Sequence, residues 1–170
     1  MKTITLIAIH VAASITASAQ ITSKYTGLSE KACKTIKSTA DEGGSYTGLC
    51  PGVGGYKIEA MEGDLRQSIN IIDPKKKKHE MNLWSIASGF SSLGDQAEWR
   101  MNGKTPIALI VRYNVSEDPA DASKLTSYLM VIKITKNKIC PTLALRPTRS
   151  HNYEARKAAD KAATRPCLGE

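Results

Sequence analysis

Apolar residues gather most densely in two five-residue runs, at 107–111 (Ile, Ala, Leu, Ile, Val) and 128–132 (Tyr, Leu, Met, Val, Ile). Runs that are apolar on both faces mark central strands covered from both sides. The acidic stretch 116–124 between them predicts a loop and an antiparallel pairing. Upstream, residues 33–39 and 45–50 are short Thr-rich runs around Gly43-Gly44, the pattern of a hairpin. Residues 56–60 alternate apolar and polar, 61–64 read as a turn, and 65–72 alternate again, predicting a second hairpin. Asp73-Pro74 ends that strand, and Lys75, Lys76, Lys77, Lys78 and His79 form a connection. Residues 81–86 suit another strand. Residues 85–94 are small and read as loop, and 96–101 read as a short strand closed by Asn102-Gly103. Residues 20–32 read as a polar lead-in, and the chain after Cys140-Pro141 reads as irregular up to Ser150.

Residues 152–164 carry the one helical pattern beyond the N-terminus, rich in Ala, Lys, Arg and Glu. Ser150 or Asn152 is placed to cap it and Pro166 to stop it. Glu154 falls in the first turn, where the helix dipole favours a carboxylate. Arg156 and Asp160 have i,i+4 spacing for an ion pair. The apolar stripe of Tyr153, Ala155, Ala158, Ala159, Ala162 and Ala163 is thin, so this helix needs help to dock.

The first nineteen residues follow a different pattern: Met1-Lys2, an apolar stretch from Ile4 to Ile15, then Ala17-Ser18-Ala19. A positive start, an apolar middle and a small-residue cleavage site make a secretory signal peptide with cleavage after Ala19. The apolar stretch is short of the ~20 residues that span a bilayer. Residues 20–170 are then one exported domain without a transmembrane segment, periplasmic or secreted.

Export changes the meaning of the four cysteines, Cys33, Cys50, Cys140 and Cys167. An even number in an oxidising compartment reads as two disulfides. Cys33 and Cys50 fall at the open end of the first hairpin, within reach of one another. Cys140, at the end of a central strand, then pairs with Cys167 just past the helix and supplies the docking the helix lacks. No C-x-x-C pair is present and no histidine lies near a cysteine, which argues against zinc. The fold class expected is mainly β, an antiparallel sandwich or a partly closed barrel, stapled by disulfides Cys33–Cys50 and Cys140–Cys167, with one C-terminal helix.

The chain carries a net charge of +8 and only 5% aromatic residues. The charge favours an acidic partner, and Lys75, Lys76, Lys77 and Lys78 are the candidate contacts for phosphates, sulfates or carboxylates of an anionic envelope polymer. The same run also reads as a solvated turn that guards strand edges. Arg146, Arg149, Arg156, Lys157, Lys161 and Arg165 are further cations whose place relative to the run is open. The scarcity of stacking aromatics disfavours nucleic acid. A second candidate surface is the small-residue loop 88–94 followed by Glu98, Trp99 and Arg100, with Trp84 nearby, since exposed loops on a rigid sheet often carry binding. Its plain alternative is that both tryptophans fill the core.

Catalytic and metal motifs are thin. The glycines of residues 50–55 are not followed by Lys-Ser/Thr and a helix, as a P-loop requires, and read as a turn with positive φ. Glu117, Asp118 and Asp121 lack calcium-loop spacing. Residues 89–93 fail the G-x-S-x-G elbow at its last position, H-E-x-x-H is absent, and His79 and His151 fall in regions that read as a surface connection or a helix start. Oxidised cysteines leave no thiolate nucleophile. Glu59, Asp64 and Glu98 are the candidates for a carboxylate pair assembled in space. Asn114-Val115-Ser116 matches a glycosylation sequon.

Residues 50–56 (CPGVGGY), 63–68 (GDLRQS), 90–94 (FSSLG), 98–100 (EWR) and the 107–112 strand together resemble a family of small exported bacterial proteins, over nearly all of residues 20–170. The resemblance implies export and a single domain, and no substrate, cofactor or catalytic residue. The functional expectation is a non-enzymatic periplasmic or secreted binding or envelope-associated protein, without cofactor or metal, that recognises an anionic envelope component or a protein partner or serves as a structural envelope protein. The alternatives are an inhibitor of an envelope-targeting enzyme, although an inhibitor of a basic lysozyme should be acidic, and a hydrolase with assembled carboxylates.

Overall fold

The computed structural model describes residues 20–40, 44–118 and 120–169; the signal segment expected over 1–19 lies outside them. Ten strands run in chain order: β1 (Ile21–Gly27), β2 (Lys34–Thr39), β3 (Ser45–Cys50), β4 (Lys57–Gly63), β5 (Arg66–Ile72), β6 (Lys78–Glu80), β7 (Ser91–Asn102), β8 (Thr105–Ser116), β9 (Leu125–Ile134) and β10 (Ile139–Leu145). One helix, α1 (His151–Ala159), and a 3-10 turn (Ala162–Thr164) follow. All pairings are antiparallel except one parallel bridge, Arg66 to Ser91.

That bridge is where the sheet forks. Along one edge of β7, Ser91 meets β5 while residues 96–102 pair with β1. Along the facing edge of β5, residues 70–72 pair with β6. One half therefore runs β1-β7-β8-β9-β10 and the other β6-β5-β4-β3-β2. The halves face each other across the main core: Ile58, Ile69 and Ile71 come from one, and Trp99, Leu109, Val111, Met130 and Ile132 from the other. The mixed sheet is not closed into a barrel.

The expected hairpins and central strands are present with adjusted limits. β4 and β5 meet in a two-residue turn, Asp64-Leu65, with φ of 52° and 57°. That is the conformation a tight hairpin demands, taken here without glycine. β8 and β9 pair from Ala108–Lys133 to Ser116–Leu125. Both disulfides are those expected, Cys33–Cys50 and Cys140–Cys167.

Five readings of the strand pattern are corrected. The polar lead-in is strand β1, because the fork leaves the β7 edge open and β1 covers it. The lysine connection is partly strand, since Lys78 begins β6 and pairs with Ile72. Residues 83–85 form a 3-10 turn instead of a strand, entered through Asn82 at φ 46°. β7 begins at Ser91, inside the stretch read as loop. Residues 139–145 form β10, which tolerates Pro141 because it lies at the sheet edge and shifts register there.

The helix packs on the outer face of the sheet, where Ala155, Ala158, Ala159 and Ala162 meet Ala108, Ile110, Leu129 and Val131. It ends at Ala159, not 164, and Tyr153 and Ala163 are exposed instead of joining the stripe. Ser150 occupies the cap position, but its hydroxyl donates to the Glu154 carboxylate and accepts no backbone N–H of the first turn, so the expected side-chain cap is not made. The i,i+4 pair Arg156–Asp160 does not form, because both side chains are drawn to β7 instead.

Candidate binding surface

Loop 51–56 joins β3 to β4 and wedges between the two halves of the sheet. Gly54 (φ 61°) and Gly55 (φ 84°) are left-handed. A methyl on Gly54 would lie 2.9 Å from Pro106 Cδ, and one on Gly55 3.3 Å from Pro74 Cβ. Both the conformation and the close approach call for glycine. Tyr56 closes the wedge against Trp99, with ring centroids 6.2 Å apart. Pro106 opens β8 and Pro74 follows β5, so the β5–β6 and β7–β8 turns come to the same end of the molecule. The β9–β10 turn falls there too, since Lys133 is level with Ala108.

These turns are lysine-rich. Lys57, Lys75, Lys76, Lys77, Lys78, Lys104, Lys136 and Lys138 all lie at this end and all are exposed. Glu59 accepts Lys78 at 2.8 Å. Among the described residues, Lys57, Lys75, Lys76, Lys77, Lys104 and Lys136 have no carboxylate within ion-pair distance. Asp73 shapes the turn: its Oδ1 accepts the backbone N–H of Lys75 and of Lys77, each at 2.9 Å, and its Oδ2 accepts His79 Nε2 at 3.2 Å. Desolvation pushes the Asp73 carboxyl up, but the bonds from His79, Lys77 and Lys75 outweigh it and hold the group below the ordinary carboxylate range. The carboxylate is thus committed to folding the turn, and the lysine side chains are left facing water.

The lysine run therefore joins Lys57, Lys104, Lys136 and Lys138, positions that the sequence reading left out. It does not join the arginines ahead of and along the helix. Arg146 pairs with Glu117 at 2.9 Å beside the β8–β9 loop, at the other end of β8. Arg156 is held by Glu98 at 2.6 Å, which raises its basicity further.

The second candidate surface divides. Trp99 is fully buried and donates Nε1–H to Thr26 Oγ1 at 2.9 Å, so it belongs to the core. Arg100 is buried as well. It donates Nε and Nη2 to the Asp160 carboxylate at 2.7 and 3.0 Å and Nη1 to Ser23, which itself donates to Glu98. Neither side chain reaches solvent as a contact residue; together they tie β1, β7 and α1. Trp84 remains at the surface, 42% exposed, with Leu65 and Phe90 also exposed near the β4–β5 turn. Arg66 lies 5.5 Å over the Phe90 ring and donates to the Ser88 carbonyl.

The acidic candidates are dispersed. Glu59 is bound by Lys78 and Asn70, Asp64 by Arg66 on an exposed turn, and Glu98 by Arg156 and Ser23. No two of them face one another. Glu117 is held by Tyr128, whose hydroxyl with that of Thr126 keeps its carboxyl below the ordinary range. Asp118 and Asp121 instead bind their own loop through Ala120 and Ser123. Among the described residues no group of three or more His, Cys, Asp or Glu is arranged to hold a metal ion. His151 Nε2 donates to the Leu145 carbonyl at 3.0 Å, securing the start of the helix. No helix among the described residues is long and apolar enough to cross a membrane.

No family model, curated protein or solved structure matches the chain.

Proposed function

We propose that this chain is a non-enzymatic exported protein, periplasmic or secreted, that binds an anionic polymer or surface of the cell envelope through its lysine-rich end. The observation that carries the reading is the gathering of lysines from four separate segments at one end, with the nearby carboxylates Asp73 and Glu59 already engaged. Like charges without a carboxylate partner among the described residues, as at Lys57, Lys75, Lys76, Lys77, Lys104 and Lys136, repel each other in the folded state and gain nothing for stability, so their gathering is better accounted for by a partner of opposite sign. Export is supported by the signal pattern at the N-terminus and by the two disulfides, which an oxidising compartment sustains. Lysine in place of arginine suits diffuse negative charge, because an ammonium is a hydrated point charge without arginine's bidentate fork.

The test is co-sedimentation of the purified protein with isolated envelope fractions across a salt series. Two variants run beside it, K75S/K76S/K77S and K104S/K136S. A lysine near an anionic surface contributes about 1 kcal/mol, so the triple variant is expected to bind about a hundredfold more weakly. Salt should weaken binding of the unmodified protein steeply. Binding indifferent to salt and to both variants overturns the proposal.

A further inference from the structure

We propose that the cleft between the first turn of α1 and the outer face of β7 and β8 is a binding site for a carboxylated sugar, with Arg112 taking the carboxylate. The helix covers the outer face of β8 at Ala108 and Ile110. It begins only at His151, and beyond its end Arg112 and Asn114 are left to line a cleft of about 650 Å³. A volume of that size suits a small ligand.

Arg112 is the unusual group there. It is half-buried and donates one bond, Nη1 to Ser127 Oγ at 2.8 Å. A guanidinium has five N–H donors. Arg100, on the same outer face, and Arg156, on the helix beside it, each hold a carboxylate. Arg112 has none within ion-pair distance among the described residues. Its position is built in advance. Ser127 donates on to Asn114 Oδ1 at 2.8 Å, and the Asn114 amide approaches Ser92 Oγ at 3.5 Å, so a polar chain crosses β9, β8 and β7. Opposite Arg112, β7 bulges: Leu93 pairs with Tyr113 and Ala97 with Val111, leaving Gly94, Asp95 and Gln96 against one residue. Bulges of this kind re-aim side chains beside sites. A methyl on Gly94 would lie 2.8 Å from Arg112 Cβ, so only glycine leaves the arginine its place.

The rest of the lining sets the ligand class. Gln96, Asn114 and Asn152 offer amides, Asp95 an acceptor, and Tyr25 a ring that is 52% exposed. Glu98 and Arg156 neutralise each other. One uncommitted guanidinium and one carboxylate, Asp95, among amides and an exposed ring match a single carboxylate on a polyhydroxylated ring, the acid taken by Arg112 and hydroxyls by Asp95, and match neither a phosphate dianion, which Asp95 repels, nor an apolar ligand. The site is separate from the lysine-rich end: Arg112 lies seven residues along β8 from Thr105, about 23 Å.

Titration of the purified protein with glucuronate, followed by calorimetry and amide chemical shifts, tests this. Saturable binding is expected, with glucose and acetate each at least about tenfold weaker. R112Q should weaken glucuronate by at least about tenfold, and R112K should recover only part of the loss because it lacks the fork. N152A, on the exposed first turn of the helix, should weaken it by a few-fold, with unchanged melting showing that the fold is intact. The K75S/K76S/K77S variant should bind glucuronate like the unmodified protein, so failure at either surface is read separately. No saturation by about 20 mM glucuronate, an R112Q variant that binds as well, or glucose or acetate binding equally overturns the proposal.

Discussion

Replacing Asp160 by alanine separates two accounts of why the helix stays docked, because they predict opposite signs. Asp160 sits at the C-terminal end of α1. There a carboxylate faces the negative end of the helix dipole, and alanine is the better helix former. On those grounds alone D160A gains up to about 1 kcal/mol. The structure argues the reverse. Asp160 receives Arg100 through two bonds, at 2.7 and 3.0 Å, and Arg100 is only 8% exposed. Removing one partner of a buried pair costs about 3–5 kcal/mol, since the other charge stays buried. Two features reduce the figure here: the Asp160 side chain is 28% exposed, and Arg100 keeps Ser23 and lies 3.7 Å from Glu98. With the helix gain subtracted, D160A should lose roughly 2–3 kcal/mol. Urea unfolding followed by far-UV circular dichroism and tryptophan emission measures it. The cycle with R100M should show a coupling of about 2 kcal/mol. A D160A protein as stable as the unmodified one, or an additive cycle, would refute the assignment of helix docking to this pair.

Other consequences can be checked with the same preparations. C140A/C167A opens a loop of sequence separation 27 and should lose about 3.5 kcal/mol on the chain-entropy scale; a urea midpoint unchanged under oxidising conditions would contradict this. W84F leaves only the buried Trp99 and should give blue-shifted emission that iodide does not quench, whereas W99F should leave a quenchable signal from Trp84; the reverse order would be fatal to the core placement. Because the Asp73 carboxyl is held below the ordinary range, its contribution is present above the unfolded pKa and lost as pH falls through the lower folded value. Amide protection at Lys75 and Lys77 should therefore persist at neutral pH and fade at strongly acidic pH, and D73N should remove that acid transition.

The parts of the fold legible in the sequence are those whose pattern is local. Residues 107–111 and 128–132 announce central strands because nothing polar interrupts them, and the cysteines announce their pairs because each closes a neighbouring unit. What the pattern hides depends on partners far away in sequence. β1 reads as polar because it covers the β7 edge with hydroxyls: Thr26 takes the Trp99 indole and Ser23 takes Arg100. β10 is hidden by Pro141, which is ruled out in a central strand but not at an edge. Arg156 and Asp160 carry perfect i,i+4 spacing, yet each finds a less exposed partner on β7, and burial decides between them. The lysine-rich end was half legible. The run at 75–78 is plain, but Lys104 and Lys136 join it only once the strands are counted. In an antiparallel meander alternate turns fall at the same end, and missing β6 and β10 breaks that count.

The two proposed surfaces differ in the physics they can use. The lysine-rich end is built largely from turns, with exposed, flexible ammonium groups, so it can measure charge density and little else. Its binding energy is open to screening by salt. Arg112 stands on a central strand, held by Ser127 and by the space Gly94 leaves, and its planar fork can fix the orientation of a carboxylate. Less of its interaction lies open to screening, because the group is half-buried. The capture proposed at the first surface and the discrimination proposed at the second would therefore be separable properties, one sensitive to ionic strength and the other to ligand shape. That division follows from where each cation sits in the fold: among the described residues the ammonium groups of Lys75, Lys76 and Lys77 have no carboxylate to orient them, whereas Arg112 on its strand is held by its neighbours.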